Sequence, residues 1–170
     1  MSEPRVIRAR PLTREGFAPF GDVISAGEGE GASANQGTAV RFDWVAKLES
    51  DRAQARANMV FVRSMPQALP FALKLLEHHP HSSQAFVPMR CGRFLVVVAP
   101  TAADGGPDTE RIEAFVCGPG QGINYHRGTW HHPMAVLDAP AEFAMLVWED
   151  GTPADCVERR LEHRITVDVG

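Results

Sequence analysis

From residue 83 onward the chain is cut at short intervals by glycine, proline and aspartate. Residues 83–89, 94–99, 112–116, 123–125, 131–137 and 143–148 are short apolar or alternating segments between those cuts. Such spacing predicts the strands of a sandwich or barrel. Leu95-Val96-Val97-Val98 is too continuously apolar for an edge strand, which predicts a place in the middle of a sheet. Residues 157–160 and 165–167 add candidate peripheral strands. No repeat and no change of composition divides the chain, so residues 1–170 read as one domain with a core of its own.

The N-terminal part is more mixed. Val6-Ile7 begins as an edge strand. Thr13 is placed to cap a helical turn over 14–17, which Pro19 and Gly21 stop. Asp22-Val23-Ile24 looks extended. Residues 27–37 are rich in Gly, Ser, Ala and Glu and read as a mobile loop. Val40, Phe42 and Trp44 alternate with Arg41 and Asp43, the period of a half-buried strand. Residues 47–57 read as a polar connector and 59–64 as a strand. Pro70 suits the first position of a helix to about residue 78, with Leu69, Leu73 and Leu76 on one face and Pro80 blocking its continuation.

Charge and cysteine usage narrow the partners. The net charge is -4, which points away from nucleic acid and from anionic membrane surfaces. No stretch approaches the roughly 20 apolar residues needed to cross a bilayer, and the first residues lack a signal-peptide pattern. Cys91, Cys117 and Cys156 are odd in number and widely spaced. They read as free thiols of a reducing compartment, so a cytoplasmic location is expected.

The histidines carry the chemistry. His126, His131 and His132 crowd the run Gly120-Gln121-Gly122-Ile123-Asn124-Tyr125-His126-Arg127-Gly128-Thr129-Trp130-His131-His132-Pro133. Imidazoles on strand ends beside glycine bends suit proton transfer or metal binding. His126 and His131 are expected to reach one cavity across the Arg127-Gly128 bend, while His132 alternates to the other face. A second cluster, His78-His79-Pro80-His81, precedes Gln84, which leads an inward-facing series with Phe86. His81 is expected to be exposed, and His163 to lie on the surface. Arg41 is a candidate clamp for a carboxylate, with Arg127 similarly poised. Tyr125, the only tyrosine, either packs or donates its hydroxyl.

Two histidine groups in this layout resemble the cupin family, a short barrel with two metal-binding motifs. His79-x-His81, Gln84 and Gly92 resemble its first motif, and His126-x-Gly128-x-x-His131 its second. Gln84 replaces the usual glutamate and His126 the usual proline. The departures are informative. The strings Leu76-Glu77-His78-His79-Pro80, Ser83-Gln84-Ala85-Phe86-Val87-Pro88-Met89 and residues 120–133 closely resemble the ureidoglycolate lyase family. So do Phe17-x-x-Phe-Gly-Asp-Val-Ile24 and Asn35-x-Gly37-x-x-x-Arg41.

The resemblance implies an all-β, cupin-like barrel of the jelly-roll type with short N-terminal helical elements, usually assembled as a homodimer. It implies cleavage of (S)-ureidoglycolate to glyoxylate and urea in allantoin and purine degradation, with nickel or another divalent ion and no organic cofactor. Such a lyase must supply a base, an acid and a carboxylate clamp. The residues assigned to the chemistry are His126, His131, Gln84 and His79. Those assigned to the substrate are Arg41, Asn35, Arg127 and Tyr125. His79, His126 and His131 are the metal candidates. Two rival readings are a metal-dependent cupin oxygenase or isomerase, and a non-catalytic cupin that binds a small acid. The glutamine at the glutamate position argues against the first and the density of histidines against the second.

Overall fold

A computed structural model describes residues 5–27 and 29–170. Glu28, inside the loop expected over 27–37, and Met1 to Pro4 lie outside the described residues. Strands β1 (Arg5–Arg8) and β2 (Arg10–Pro11) precede the helical turn α1 (Arg14–Phe17), followed by β3 (Gly21–Ile24), β4 (Ala32–Ala34), β5 (Ala39–Arg41) and β6 (Arg56–Ser64). Then come β7 (Phe71–His78), β8 (Gln84–Arg90), β9 (Phe94–Ala99), β10 (Glu113–Cys117) and β11 (Gly122–Tyr125). The chain closes with β12 (Trp130–His131), β13 (Ala135–Val136), β14 (Ala141–Glu149) and β15 (Val157–Asp168). One sheet runs β1-β15-β7-β12-β9-β10-β2, with β13 also on β9, and a second runs β3-β11-β8-β14-β6. The spacing of the turns led to a sandwich or barrel, and two facing sheets forming a barrel are what the chain builds. Thr13 caps α1 as expected: its hydroxyl accepts the Gly16 N–H at 3.1 Å.

The core lies between the sheets. Phe94, Val96, Val98 and Phe115 from the first sheet meet Val23, Phe86, Ile123, Tyr125 and Phe143 from the second. Leu95 and Val97 on the opposite face of β9 join Leu76, Trp130 and Ile165 in another buried cluster. Burial on both faces explains the unbroken apolar run of β9, because neither face has water to meet with polar residues.

Several expectations need correction. Residues 71–78 form strand β7, not a helix, and pair with β15 and β12. Leu69, Leu73 and Leu76 fit a helical face by spacing alone, but the run is short, and pairing with a strand some way down the chain decides it. Strand β15 is continuous and lies between β1 and β7 in the first sheet, so it is not two peripheral pieces. Part of the 27–37 loop is strand, with β4 paired to β5. Trp44 does not continue β5. It sits at φ +57° with 97% of its surface exposed.

Candidate active site

Alternation along β8 and β11 points one set of side chains into the barrel. Gln84 and Phe86 face inward, and Gln84 pairs across the sheet with Tyr125. Gly21 pairs with Tyr125 from the other side. A side chain at Gly21 would put its Cβ 2.0 Å from the Asn124 carbonyl oxygen, so only glycine permits this close strand contact. From the opposing sheet, β12 sends His131 inward, and the ring stacks on Tyr125. His131 pairs with Glu77 of β7, and its Nε2 lies 3.5 Å from Glu77 Oε1. His79, just past the end of β7, stacks on His131 with centroids 5.6 Å apart. The Gly128 N–H donates to the His79 carbonyl at 2.9 Å, so the two histidine clusters of the sequence are directly bonded through the backbone.

Ligand-type atoms of Glu77, His79 and His131 lie within 4.8 Å of one another. Both imidazoles are oriented from behind. Nδ1 of His79 donates to the Asp155 carbonyl at 2.8 Å, and Nδ1 of His131 donates to the Thr129 carbonyl at 2.9 Å. Their Nε2 atoms are buried without a hydrogen-bond partner, as are Gln84 Oε1 and the Tyr125 hydroxyl. Buried polar atoms are ordinarily paired, so this many unpaired ones in one region of the interior mark a place for a ligand. An adjoining cavity of about 240 Å³ is lined by Glu77, Gln84 and His131 together with Phe86, Met134 and Met145.

The electrostatics suit the same use. Burial, reinforced by the nearby His131, lowers the pKa of His79 and keeps it neutral with a free lone pair. Burial works to raise Glu77, but the adjacent His131 imidazole, with His79 and His132 behind, holds it below the ordinary carboxylate value. Burial pushes the Tyr125 phenol well above its usual value, so it stays a hydrogen-bond donor.

The ureidoglycolate lyase family profile matches residues 4–168. A relative from Burkholderia cepacia named ureidoglycolate lyase is 41% identical over 163 residues, covering 95% of this chain and 90% of its own. One of the same name from Pseudomonas syringae pv. tomato is 35% identical over 166 residues, 96% of each chain. Another, from a Chelativorans species, is 42% identical over 142 residues, 84% of each. The chain belongs to the ureidoglycolate lyase family.

In this family member the residues expected at the site divide into two groups. His79, Gln84, Tyr125 and His131 come together inside the barrel. His126 does not join them. Its Nε2 lies 3.1 Å from Asp22 Oδ1, and Asp22 also accepts from the Asn124 amide at 2.9 Å. Asn124 alternates with Tyr125 on β11, so this cluster lies on the outer side of the second sheet. Arg41 is exposed and paired with Asp43 at 2.6 Å, and Arg127 is paired with Asp51 at 2.7 Å. Asn35 is exposed at the tip of the β4–β5 hairpin with φ +50°. His132 faces away from the cavity, edge-on to Phe71, and His81 pairs with Asp51.

Glu77 went unrecognised in the sequence. The motif read as His79-x-His81 is offset by two residues: the pair that clusters with His131 is Glu77-x-His79. Strand alternation carries that signal, but the helical reading of 70–78 conceals it. The connector at 47–57 likewise concealed Arg52, which is half-buried against two aspartates.

Proposed function

We propose that this chain cleaves ureidoglycolate into glyoxylate and urea inside the barrel, at Glu77, His79, His131, Gln84 and Tyr125. The observation that carries the reading is the pair of buried, unpartnered Nε2 atoms of His79 and His131 beside the Glu77 carboxylate. Both Nδ1 positions are taken by backbone carbonyls, so the free nitrogens face each other and the acid.

The substrate carries a hydroxyl and a ureido nitrogen on one carbon. Loss of the hydroxyl proton lets that carbon form C=O while the C–N bond breaks and its electrons leave on nitrogen. The nitrogen then takes up a proton, so none is consumed overall. The Glu77–His79–His131 cluster is the basic group that receives the hydroxyl proton and returns it to the departing urea. Gln84 Oε1 accepts a ureido N–H. The Tyr125 hydroxyl donates to an oxygen of the substrate. Phe86, Met134 and Met145 exclude water from the reacting carbon.

The same three side chains fit a divalent cation, since ligating imidazoles characteristically donate their second N–H to a carbonyl. Glu77, His79 and His131 would hold it. When bound, such an ion lowers the pKa of a coordinated hydroxyl as it does that of water. Nickel is the ion that the family resemblance suggests.

The chain is further read as a cytoplasmic homodimer. The outer face of the second sheet is apolar across its strands, with Phe61, Ala144 and Val87 in one row and Met59, Leu146 and Ala85 in the next. Phe61, Met59 and Val87 are exposed in the single chain, and β6 ends the sheet as an open edge. Sedimentation showing only monomer at micromolar concentration would remove the dimer.

One assay tests the function. Purified protein given racemic ureidoglycolate should release urea and glyoxylate in equal amounts, with neither ammonia nor oxygen uptake. Ammonia would indicate an amidohydrolase, oxygen uptake an oxygenase, and saturable binding without turnover a non-catalytic module.

A further inference from the structure

The bond that orients His79 comes from a loop that sheet pairing does not hold. Asp155 ends a short 3-10 turn, Pro153–Asp155, between β14 and β15. Its carbonyl accepts Nδ1 of His79. The next residue, Cys156, places its Sγ 3.8 Å from Glu77 Oε2, so this loop touches two of the three clustered groups.

Arg52 holds the loop. Its Nη2 donates to Asp155 Oδ1. Its Nη1 donates to Asp150 Oδ2 at 2.8 Å and to Thr152 Oγ1 at 3.2 Å. The side chains of Arg52, Asp150 and Asp155 are 12%, 9% and 13% exposed. The Asp155 carboxylate also receives the N–H groups of Asp150 and Gly151. The segment carrying Arg52 is tied in turn to the bend that carries His79. The Asp51 N–H donates to the His81 carbonyl at 3.2 Å, and the Ser83 N–H donates to the Glu49 carbonyl at 3.0 Å. One guanidinium thus joins two loops that close over the back of His79. Its planar fork reaches two carboxylates at once, which an ammonium does not reproduce.

We propose that Arg52 is a positioning residue for His79. By clamping residues 150–155 it holds the Asp155 carbonyl on Nδ1, and so fixes the tautomer whose Nε2 lone pair is turned to Glu77 and His131 beside the cavity. The inference rests on the reading of that cavity as the active site.

The test is the tautomer itself. Protein labelled with 15N-histidine is followed by two-bond proton–nitrogen correlation spectra at neutral to mildly alkaline pH, with His79 assigned from a His79→Gln variant. The wild type should show His79 as a single neutral Nδ1–H tautomer. Arg52→Gln should show mixed tautomers, with kcat/KM lowered about 10–100-fold while circular dichroism is unchanged, the range for lost partners behind a ligating histidine. Arg52→Lys should not restore the single tautomer. Asp150→Asn, which keeps the Arg52–Asp155 pair, should give a smaller change of the same kind and carries the test if Arg52→Gln does not fold. A single, unshifted His79 tautomer in every folded variant would overturn the proposal, leaving Arg52 a purely structural ion pair. The spectrum needs no substrate, so absence of ureidoglycolate turnover in the wild type would count against the function and not against the clamp.

Discussion

The imidazole of His131 lies flat on the phenol ring of Tyr125, with centroids 4.0 Å apart and planes 13° apart. The two residues come from different sheets, β12 and β11, so the stack spans the inside of the barrel. It sets the plane of the His131 ring, while the Thr129 carbonyl sets its tautomer.

Tyr125→Phe preserves this stack and removes a buried hydroxyl that has no partner in the protein. Its stability in urea should therefore stay within about 1 kcal/mol of wild type. Its kcat/KM should fall if the hydroxyl donates to substrate as proposed. Tyr125→Ala should cost about 3–5 kcal/mol, as for other large buried aromatics. Unchanged kcat/KM in the phenylalanine variant would take the hydroxyl out of the chemistry.

His131 and His126 should behave differently in steady-state kinetics. His131→Ala is expected to lower turnover roughly 10²–10⁴-fold, the scale of lost acid–base catalysis. His126 sits against Asp22 outside the cavity, so His126→Ala should cost less than about tenfold. Their side chains bond to different groups, Asp22 for His126 and the Thr129 carbonyl for His131, and the double variant should be additive within about 0.5 kcal/mol. Strong non-additivity would mean that the sheet between them couples the two clusters.

Glu77→Gln keeps the size of the side chain and removes the charge beside His131. Turnover should collapse, and metal content measured by mass spectrometry should fall with it. Prolonged chelation of the wild type should abolish turnover, and added nickel or manganese should restore it. Full activity in chelated protein with no residual metal would leave the three side chains as a proton-transfer cluster alone.

Acid should destabilise the fold in two stages. His78, His79 and His132 are each held below the ordinary histidine value of 6.5, first by burial, with His131 adding to the effect. The unfolded chain binds protons at these sites near 6.5, and the folded chain only at lower pH. Stability is therefore full above about 6.5 and is lost as pH falls through the lowered folded values. Asp22 and Glu77, held below their usual values of 3.8 and 4.5, add a second loss at lower pH still. Urea midpoints taken between about pH 7.5 and about pH 5.5 should decline. A flat profile would contradict the neutral burial of these histidines.

Much of this was legible along the chain. Turn residues at short intervals were enough to place most of the later strands, because glycine, proline and aspartate act locally, although 131–137 divides into β12 and β13 around residues 132–134. The Thr13 cap and the interior position of Leu95–Val98 followed from equally local chemistry. The inward choice of His131 over His132 also agrees with strand alternation: His131 is 2% exposed and lines the cavity, while His132 packs against Phe71.

Chain order alone could not say which residues meet. Whether 71–78 becomes helix or strand depends on β15, a partner far along the chain, and that choice makes Glu77 and His79 neighbours on one face. His126 and His131 are close in sequence, yet a strand's alternation and the turn at Gly128 send them to different sides of a sheet. Arg52 reads as an ordinary charge in a polar connector, and only the packing of two loops against each other shields it between Asp150 and Asp155. Residue types and turn chemistry are properties of single positions, so the sequence by itself determined the barrel class and the supply of histidines. The site is a set of distances between residues remote in the chain, and strand pairing and burial in the tertiary structure decided those.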